Sequence, residues 1–223
     1  MQMSVYLTFL NGLWKKNHLE MTKPVERWQL LHPVILPVSS DVRALSGPEK
    51  QKALSTSARK ALFLSAELSE VVLGELQKGD RGNPLPSNGI YWSVSCTLDF
   101  AAAVAAPFPV GVDIEKIKNF THALQLLIAA PEEWRLGEKV TESLFCRFWT
   151  AKEAVLKVVG EGLRGLSRCS IAEIVDENHL RVTFGPDSWT ASQFLDVPGH
   201  IASVSVSKEK VKWHLLPVDT IIR

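Results

Sequence analysis

Cysteine is scarce in this chain. Cys96, Cys146 and Cys169 are three thiols scattered over 223 residues, too few for a disulfide framework and wrongly spaced for a zinc site. Reduced thiols in a cytoplasmic protein are therefore expected. Charge of one sign is also missing, since 25 Lys and Arg stand against 24 Asp and Glu. A net charge of +1 gives no electrostatic drive toward nucleic acid or an acidic membrane, so any anion site must be local. No apolar run reaches the roughly 18 residues a membrane span needs. The short apolar stretch Val5–Leu10 has no basic residues before it and is followed by Lys15 and Lys16, which suits a first strand better than a signal peptide. No glycine-rich phosphate loop of the P-loop or dinucleotide type occurs. His18, His32, His122, His179, His200 and His214 show no ligand spacing. The seven tryptophans are spread as core residues are.

What is present is a 46% hydrophobic chain, enough for one sizeable core or two lobes of about 100 residues each. Residues 1–45 read as a strand, an irregular stretch and a strand near Val34–Val38. From Pro48 to Leu76, apolar residues recur at helical spacing behind a proline suited to a first helical turn. That pattern is either one long helix or two broken near Ser55–Ser57. Gly79 to Gly89 is a turn-rich connector. Strands are expected at Tyr91–Ser95, Phe100–Ala105 and Val110–Glu115, with Pro107 and Pro109 between the last two. A helical stretch at 120–130 ends at Pro131, and a strong helix runs from about Glu142 to Val159 before Gly160 and Gly162. Short strands follow at Ser170–Val175, Leu180–Phe184, Trp189–Phe194, His200–Val206 and Lys212–Pro217. His200–Val206 echoes Phe100–Ala106, and a long helix precedes strands in each half. The expected fold is α+β: two similar lobes, 1–108 and 109–223, related by a pseudo-twofold, with antiparallel sheets packed with helices.

Two short blocks carry the chemistry. In Gly111-Val-Asp-Ile-Glu115 the period of a strand puts Asp113 and Glu115 on one face, with Val112 and Ile114 on the other. Two like charges on adjacent same-face positions repel. The pair is either a solvated strand edge or a site for a hard divalent cation, which takes carboxylate oxygens together with substrate phosphates. In Trp149-Thr-Ala-Lys-Glu-Ala-Val-Leu-Lys157 the residues Glu153 and Lys157 share a helix face. They are either a surface ion pair or the third carboxylate and cation of the same site. Phe145, Phe148, Ala151, Val155 and Leu156 give that helix a wide apolar surface, which brings its charges close to buried ground.

The two blocks, roughly forty residues apart and followed by Gly-Glu-Gly-Leu, together resemble the 4′-phosphopantetheinyl transferase superfamily. Length and two-lobe layout resemble its long, monomeric, surfactin-synthetase-activating group. The resemblance covers roughly residues 46–206. It implies transfer of the 4′-phosphopantetheine arm of coenzyme A onto a serine of an apo acyl or peptidyl carrier protein, releasing adenosine 3′,5′-bisphosphate. It implies Mg²⁺ as cofactor, held by Asp113, Glu115 and Glu153, with Glu153 also a candidate base. Lys157 and Lys152 would hold phosphate oxygens of coenzyme A, and Glu133 resembles an acidic position near the metal. Lys50 and Arg59 resemble basic residues that contact the nucleotide, against the alternative of a solvated helix face. The partners implied are coenzyme A and the carrier, with neither nucleic acid nor membrane, and the protein is expected to be monomeric.

Two departures stand out. The family has a serine–histidine pair in the strand before the metal motif, and the histidine contacts coenzyme A. Here Ser95 is followed by Cys96, and a thiol cannot replace a charge-assisted phosphate contact. The loss of one such contact corresponds to about 1.5–3 kcal/mol. The connector lacks the family's Gly-Lys-Pro and carries Asn83-Pro84 instead. The rival readings are a degenerate homologue that binds coenzyme A or a carrier without transfer, and a different Mg²⁺-dependent phosphotransferase that reuses the same carboxylates.

Overall fold

A computed structural model describes residues 30–217 and 219; the expected first strand at Val5–Leu10 lies outside them. Short strands β1 (Leu30–Leu31) and β2 (Val34–Pro37) lead to the brief helix α1 (Ser40–Ala44) and the long helix α2 (Gly47–Leu68). Helix α2 is continuous through Ser55–Ser57. The hydroxyls of Thr56 and Ser57 fold back onto the carbonyls of Lys52 and Ala53, so they stay within the helix rather than break it. It ends at Leu68, short of Leu76. Glu70 adopts a left-handed φ of 53°, and Val71 N–H closes onto Ala66 C=O, a helix-terminating turn. Val71, Leu73 and Leu76 still pack against the core, but from extended chain.

Next come β3 (Tyr91–Cys96), β4 (Phe100–Ala106) and β5 (Val112–Lys116). Helices α3 (His122–Ile128), α4 (Pro131–Trp134) and α5 (Glu142–Val159) follow. Thr141 caps α5 through its hydroxyl, and Gly160 closes it at φ 71°, the left-handed position that glycine fills without steric cost. A 3₁₀ turn at Gly162–Arg168 feeds β6 (Cys169–Asp176), β7 (His179–Phe184), β8 (Asp187–Phe194) and β9 (His200–Val206).

The strands form two main sheets. One has the order β11 (His214–Leu215), β2, β4, β3 and is backed by α2; the other, β5-β9-β8-β7-β6, is antiparallel throughout and is backed by α5. Of the expected strand Lys212–Pro217 only β11 (His214–Leu215) forms, and a second short strand, β10 (Lys210–Val211), lies just before the expected start. They run back to pair in parallel with β1 and β2, so the end of the described chain belongs to the first sheet. The protein is thus α+β, with largely antiparallel sheets packed with helices.

The alanine-rich strand β4 joins the halves. Ala103 and Ala105 pack with Leu62 of α2, whereas Ala102, Val104 and Ala106 pack with Val112 and Ile114 of β5 and with Val204 of β9. A strand buried on both faces needs short side chains if two layers are to close on it. Among the described residues, no helix is long and apolar enough to cross a membrane.

Candidate active site

The site lies where β3 of one sheet meets β5 of the other, under α5. Strand alternation sends Val112 and Ile114 into the shared core and leaves Asp113 and Glu115 on the opposite face. Gly111 makes the approach possible. A Cβ on it would collide with the Ala154 carbonyl oxygen and sit 3.1 Å from Lys157 Cβ. Only glycine lets the start of β5 slide under α5. On α5, Trp149, Glu153 and Lys157 are spaced four apart and form one stripe along the helix.

Asp113 is 4% exposed. Its Oδ1 accepts hydrogen bonds from Ser95 Oγ and from Lys157 Nζ, each at 2.8 Å. Lys157 Nζ also donates to the carbonyls of Val112 at 2.9 Å and Val94 at 3.5 Å, tying β3, β5 and α5 at one ammonium. Glu115 Oε1 accepts from Trp149 Nε1 at 3.3 Å. Two oxygens are left over: Asp113 Oδ2 and Glu153 Oε1 are buried without a hydrogen-bond partner.

The carboxylates feel one another. Burial, followed by repulsion from Asp113 and Glu115 and offset by Lys157, pushes the Glu153 carboxyl up to about 7. Glu115 is also raised, first by burial and then by Asp113, against the Trp149 hydrogen bond. Cys96 is exposed at the end of β3, and burial of its thiol group outweighs the nearby Lys157 to raise its pKa. It therefore stays a neutral thiol beside the site.

Among the described residues, no three His, Cys, Asp or Glu side chains form a ready metal cluster. The three carboxylates are electrostatic neighbours, with Asp113 drawn to Lys157. The donor set nonetheless suits a hard cation. It offers carboxylate oxygens only, two of them buried and unsatisfied, and a buried unpaired oxygen is costly unless a cation or donor meets it.

A cleft of about 610 Å³ opens beside Glu153 and Lys157, walled by Lys78–Pro84 of the connector, Ser93 and Val94 of β3, and Gly160–Arg164. In the other direction along the stripe lies an apolar pocket of about 220 Å³, beside Glu115 and Trp149 and closed by Leu124, Ile128 and Phe145.

The residues expected at the site divide. Asp113, Glu115, Glu153, Lys157, Ser95 and Cys96 come together. Lys152 does not, which corrects its reading as a phosphate ligand. One residue from Glu153 means a turn of about 100° around the helix, and Lys152 faces the protein interior at 1% exposure. Its Nζ pairs with Glu133 Oε2 at 2.7 Å and donates to the Ile128 carbonyl at 2.8 Å. Glu133 accepts in addition from the N–H groups of Ala130 and Ile171. Its place is thus a saturated internal pair, not the edge of a metal site. Lys50 and Arg59, on α2, are absent from the cleft walls. Sequence reasoning missed Trp149 as the donor to Glu115, and it missed Lys78, Arg81 and Arg164 in the cleft. Trp149 opens the quoted helix block and could have been found there, whereas the three cations sit in irregular chain with no periodic signal.

The two sheets thus bring three neighbouring carboxylates and a pinned lysine to the head of an open cleft. Comparison with known proteins bears on the second half of the chain. Residues 109–205, which hold β5, α5 and most of the second sheet, match the model of the 4′-phosphopantetheinyl transferase superfamily, so this part of the chain is similar to that superfamily. The chain is 24% identical over 133 residues to the 4′-phosphopantetheinyl transferase HetI of Nostoc sp., covering 56% of this chain and 55% of that protein. It is 37% identical over 87 residues to a Synechocystis sp. protein named "Putative 4′-phosphopantetheinyl transferase slr0495", covering 35% of this chain and 33% of that protein. The match therefore spans about half of one relative and a third of the other.

Proposed function

We propose that this chain transfers the 4′-phosphopantetheine group of coenzyme A to a serine of an acyl or peptidyl carrier protein. The observation that carries this reading is the pair of orphaned, buried carboxylate oxygens, Asp113 Oδ2 and Glu153 Oε1, next to a lysine at the mouth of a cleft. Buried carboxylate oxygens of this kind suit a cation, and a cleft edged by lysine suits an anion. A magnesium–diphosphate substrate supplies both.

Asp113, Glu115 and Glu153 would hold the Mg²⁺, which when bound neutralises charge on the diphosphate and on the departing nucleotide. Lys157, whose ammonium is already aimed by two carbonyls and Asp113, stabilises the same phosphate oxygens. The serine hydroxyl oxygen forms a bond to the pantetheine-linked phosphorus, and the anhydride P–O bond breaks. The pair of electrons leaves with adenosine 3′,5′-bisphosphate. Glu153 takes the serine proton. Positioning and electrostatics carry most of the rate, as in other phosphoryl transfers. This reading includes the long, monomeric group of the family, pseudo-twofold lobes of 1–108 and 109–223, a holo-carrier-synthase type of reaction and a cytoplasmic setting.

The neutral Cys96 thiol beside Lys157 favours a second reading, a homologue that binds coenzyme A or carrier without transfer. Mass spectrometry of apo carrier proteins incubated with coenzyme A and magnesium separates the two. The expected result is a phosphopantetheine mass gain with the parent protein and none with Asp113→Ala. A parent that binds coenzyme A but modifies no carrier supports the second reading. An Asp113→Ala variant as active as the parent refutes the metal assignment.

A further inference from the structure

We propose that Gln193, Ser203 and Thr150 are positioning residues: they fix where α5 sits on the second sheet, and so set Glu153 and Lys157 against Asp113. This rests on the transfer reading above and names what holds its site in register.

Asp113, Ser203 and Gln193 stand directly opposite one another on β5, β9 and β8. Residues opposite each other across strands point to the same face, here the face covered by α5. All three are buried, as is Thr150 of α5. The helix crosses this polar row from one end to the other. Arg147 Nε donates to Gln193 Oε1 at 2.7 Å, Thr150 Oγ1 lies 2.7 Å from Ser203 Oγ, and Lys157 Nζ donates to Asp113 Oδ1 at 2.8 Å. The spacing of Arg147, Thr150 and Lys157 puts them on one stripe of the helix.

The bonds along the row have one consistent order. Gln193 Nε2 donates one hydrogen to Ser203 Oγ at 2.9 Å and the other to the Arg147 carbonyl at 3.0 Å. A hydroxyl holds a single proton. Ser203 therefore gives its own to Thr150, and Thr150 gives its own to the Cys146 carbonyl at 2.9 Å. Each donor and each acceptor in the chain is then used. Apolar contact has no direction, so a helix held by it alone can slide on a sheet. A closed chain of directional bonds admits one position. The three residues act through the helix and not on the ion. Glu153 follows Thr150 by three residues, on the same side of the helix, and the Ala154 carbonyl meets Gly111 at the start of β5. A slip of about 1 Å at α5 would part Glu153 from the β5 carboxylates, and a displacement of that size can cost roughly a hundredfold in rate.

The variants that test this are Thr150→Val, which keeps the shape and removes the hydroxyl, Thr150→Ser, which keeps the hydroxyl, and Gln193→Leu. Manganese is the probe, since it takes the same oxygen ligands as magnesium. Its binding to the full chain, without coenzyme A or carrier, is followed by electron paramagnetic resonance at a temperature where every variant is folded. Thr150→Val and Gln193→Leu should each weaken manganese by about three- to tenfold. They should lower the carrier-labelling rate at saturating substrate by about tenfold, with the KM for carrier unchanged. Thr150→Ser should recover most of both losses. Lys152→Ala, whose ion pair lies off the row, should bind manganese as the parent does, however far its melting temperature falls. Manganese affinity unchanged in both Thr150→Val and Gln193→Leu overturns the inference. So does a Thr150→Ser variant no better than Thr150→Val, or an equal loss in Lys152→Ala, which would make any destabilisation sufficient. A parent that binds no manganese removes the inference together with the metal assignment. A parent that binds manganese and labels no carrier removes the transfer reading alone.

Discussion

Two lysines five residues apart on α5 each pair with a carboxylate, at 2.7 Å for Lys152–Glu133 and 2.8 Å for Lys157–Asp113, and yet the two pairs are built for different ends. Around Lys152 the hydrogen bonds close. Glu133 has the ammonium and two backbone N–H groups, and Lys152 has a carbonyl besides. Around Lys157 the positive charge is met by more acid than it can satisfy, and two oxygens stay unpaired. A saturated pair stabilises one arrangement of the chain. An unsaturated one, open to a cleft, leaves binding capacity for something else. Burial and proximity do not separate structural from functional charges here; the leftover oxygens do.

The comparison is broken most directly by removing each ammonium in turn. Lys152→Ala leaves the Glu133 carboxylate buried and unpaired, which costs about 3–5 kcal/mol and lowers the melting temperature by on the order of 10 °C. Below that temperature its transfer rate per folded molecule should stay close to the parent's. Lys157→Ala should melt nearer to the parent in magnesium buffer but lose on the order of 10²–10³ in transfer rate. Melting curves and carrier-labelling rates of both variants check this. Equal losses of activity would erase the distinction between the two pairs.

A pH series sharpens the same contrast. The Glu153 carboxyl sits at about 7 in the folded protein against an ordinary 4.5, so the folded state resists its ionisation. The cost is absent below about pH 4.5, grows as pH rises and is complete above about pH 7. With partial exposure discounted, it amounts to about 1–3 kcal/mol. In metal-free buffer Glu153→Gln should therefore raise the melting temperature at about pH 8 and change it little at about pH 5. Magnesium at about pH 8 should raise the parent's melting temperature and have a smaller effect on the variant. If Glu153→Gln melts with the parent at both pH values, Glu153 is not an ionisation burden on the fold. If magnesium shifts parent and variant equally, Glu153 is no ligand.

The legible part of the site was the part with a period. Alternation in Gly111–Glu115 and the four-residue spacing of Trp149, Glu153 and Lys157 placed acids and lysine correctly relative to their own elements. Helix α5 ended where Gly160 requires it to. The illegible part depended on what packs against a face. Lys152 and Lys157 look alike in a sequence; only α4 and β6, arriving with Glu133 and the Ile171 N–H, turn one of them inward. The end of α2 at Leu68 depended on one left-handed residue, Glu70, which apolar spacing cannot reveal. The shortness and placing of β10 and β11 depended on β1 and β2, some 180 residues away in the chain. The cleft cations belong to turns, where side-chain direction follows backbone geometry rather than any repeat.

The smallest expected effect concerns Cys96, where the sequence departs from the family in the strand beside the centre. Its thiol lies close enough to feel both Lys157 and Asp113 but carries no charge. Cys96→His would place an imidazole there, with Asp113 favouring its protonated form and Lys157 opposing it. These influences partly cancel, so coenzyme A binding should tighten by only about two- to tenfold, less than a full charge-assisted contact brings. The gain should appear for coenzyme A and 3′-dephospho-coenzyme A alike if the histidine serves the diphosphate. Calorimetry of the parent and of Cys96→His with each ligand measures this. Binding unchanged or weakened in Cys96→His would mean that this strand does not face coenzyme A.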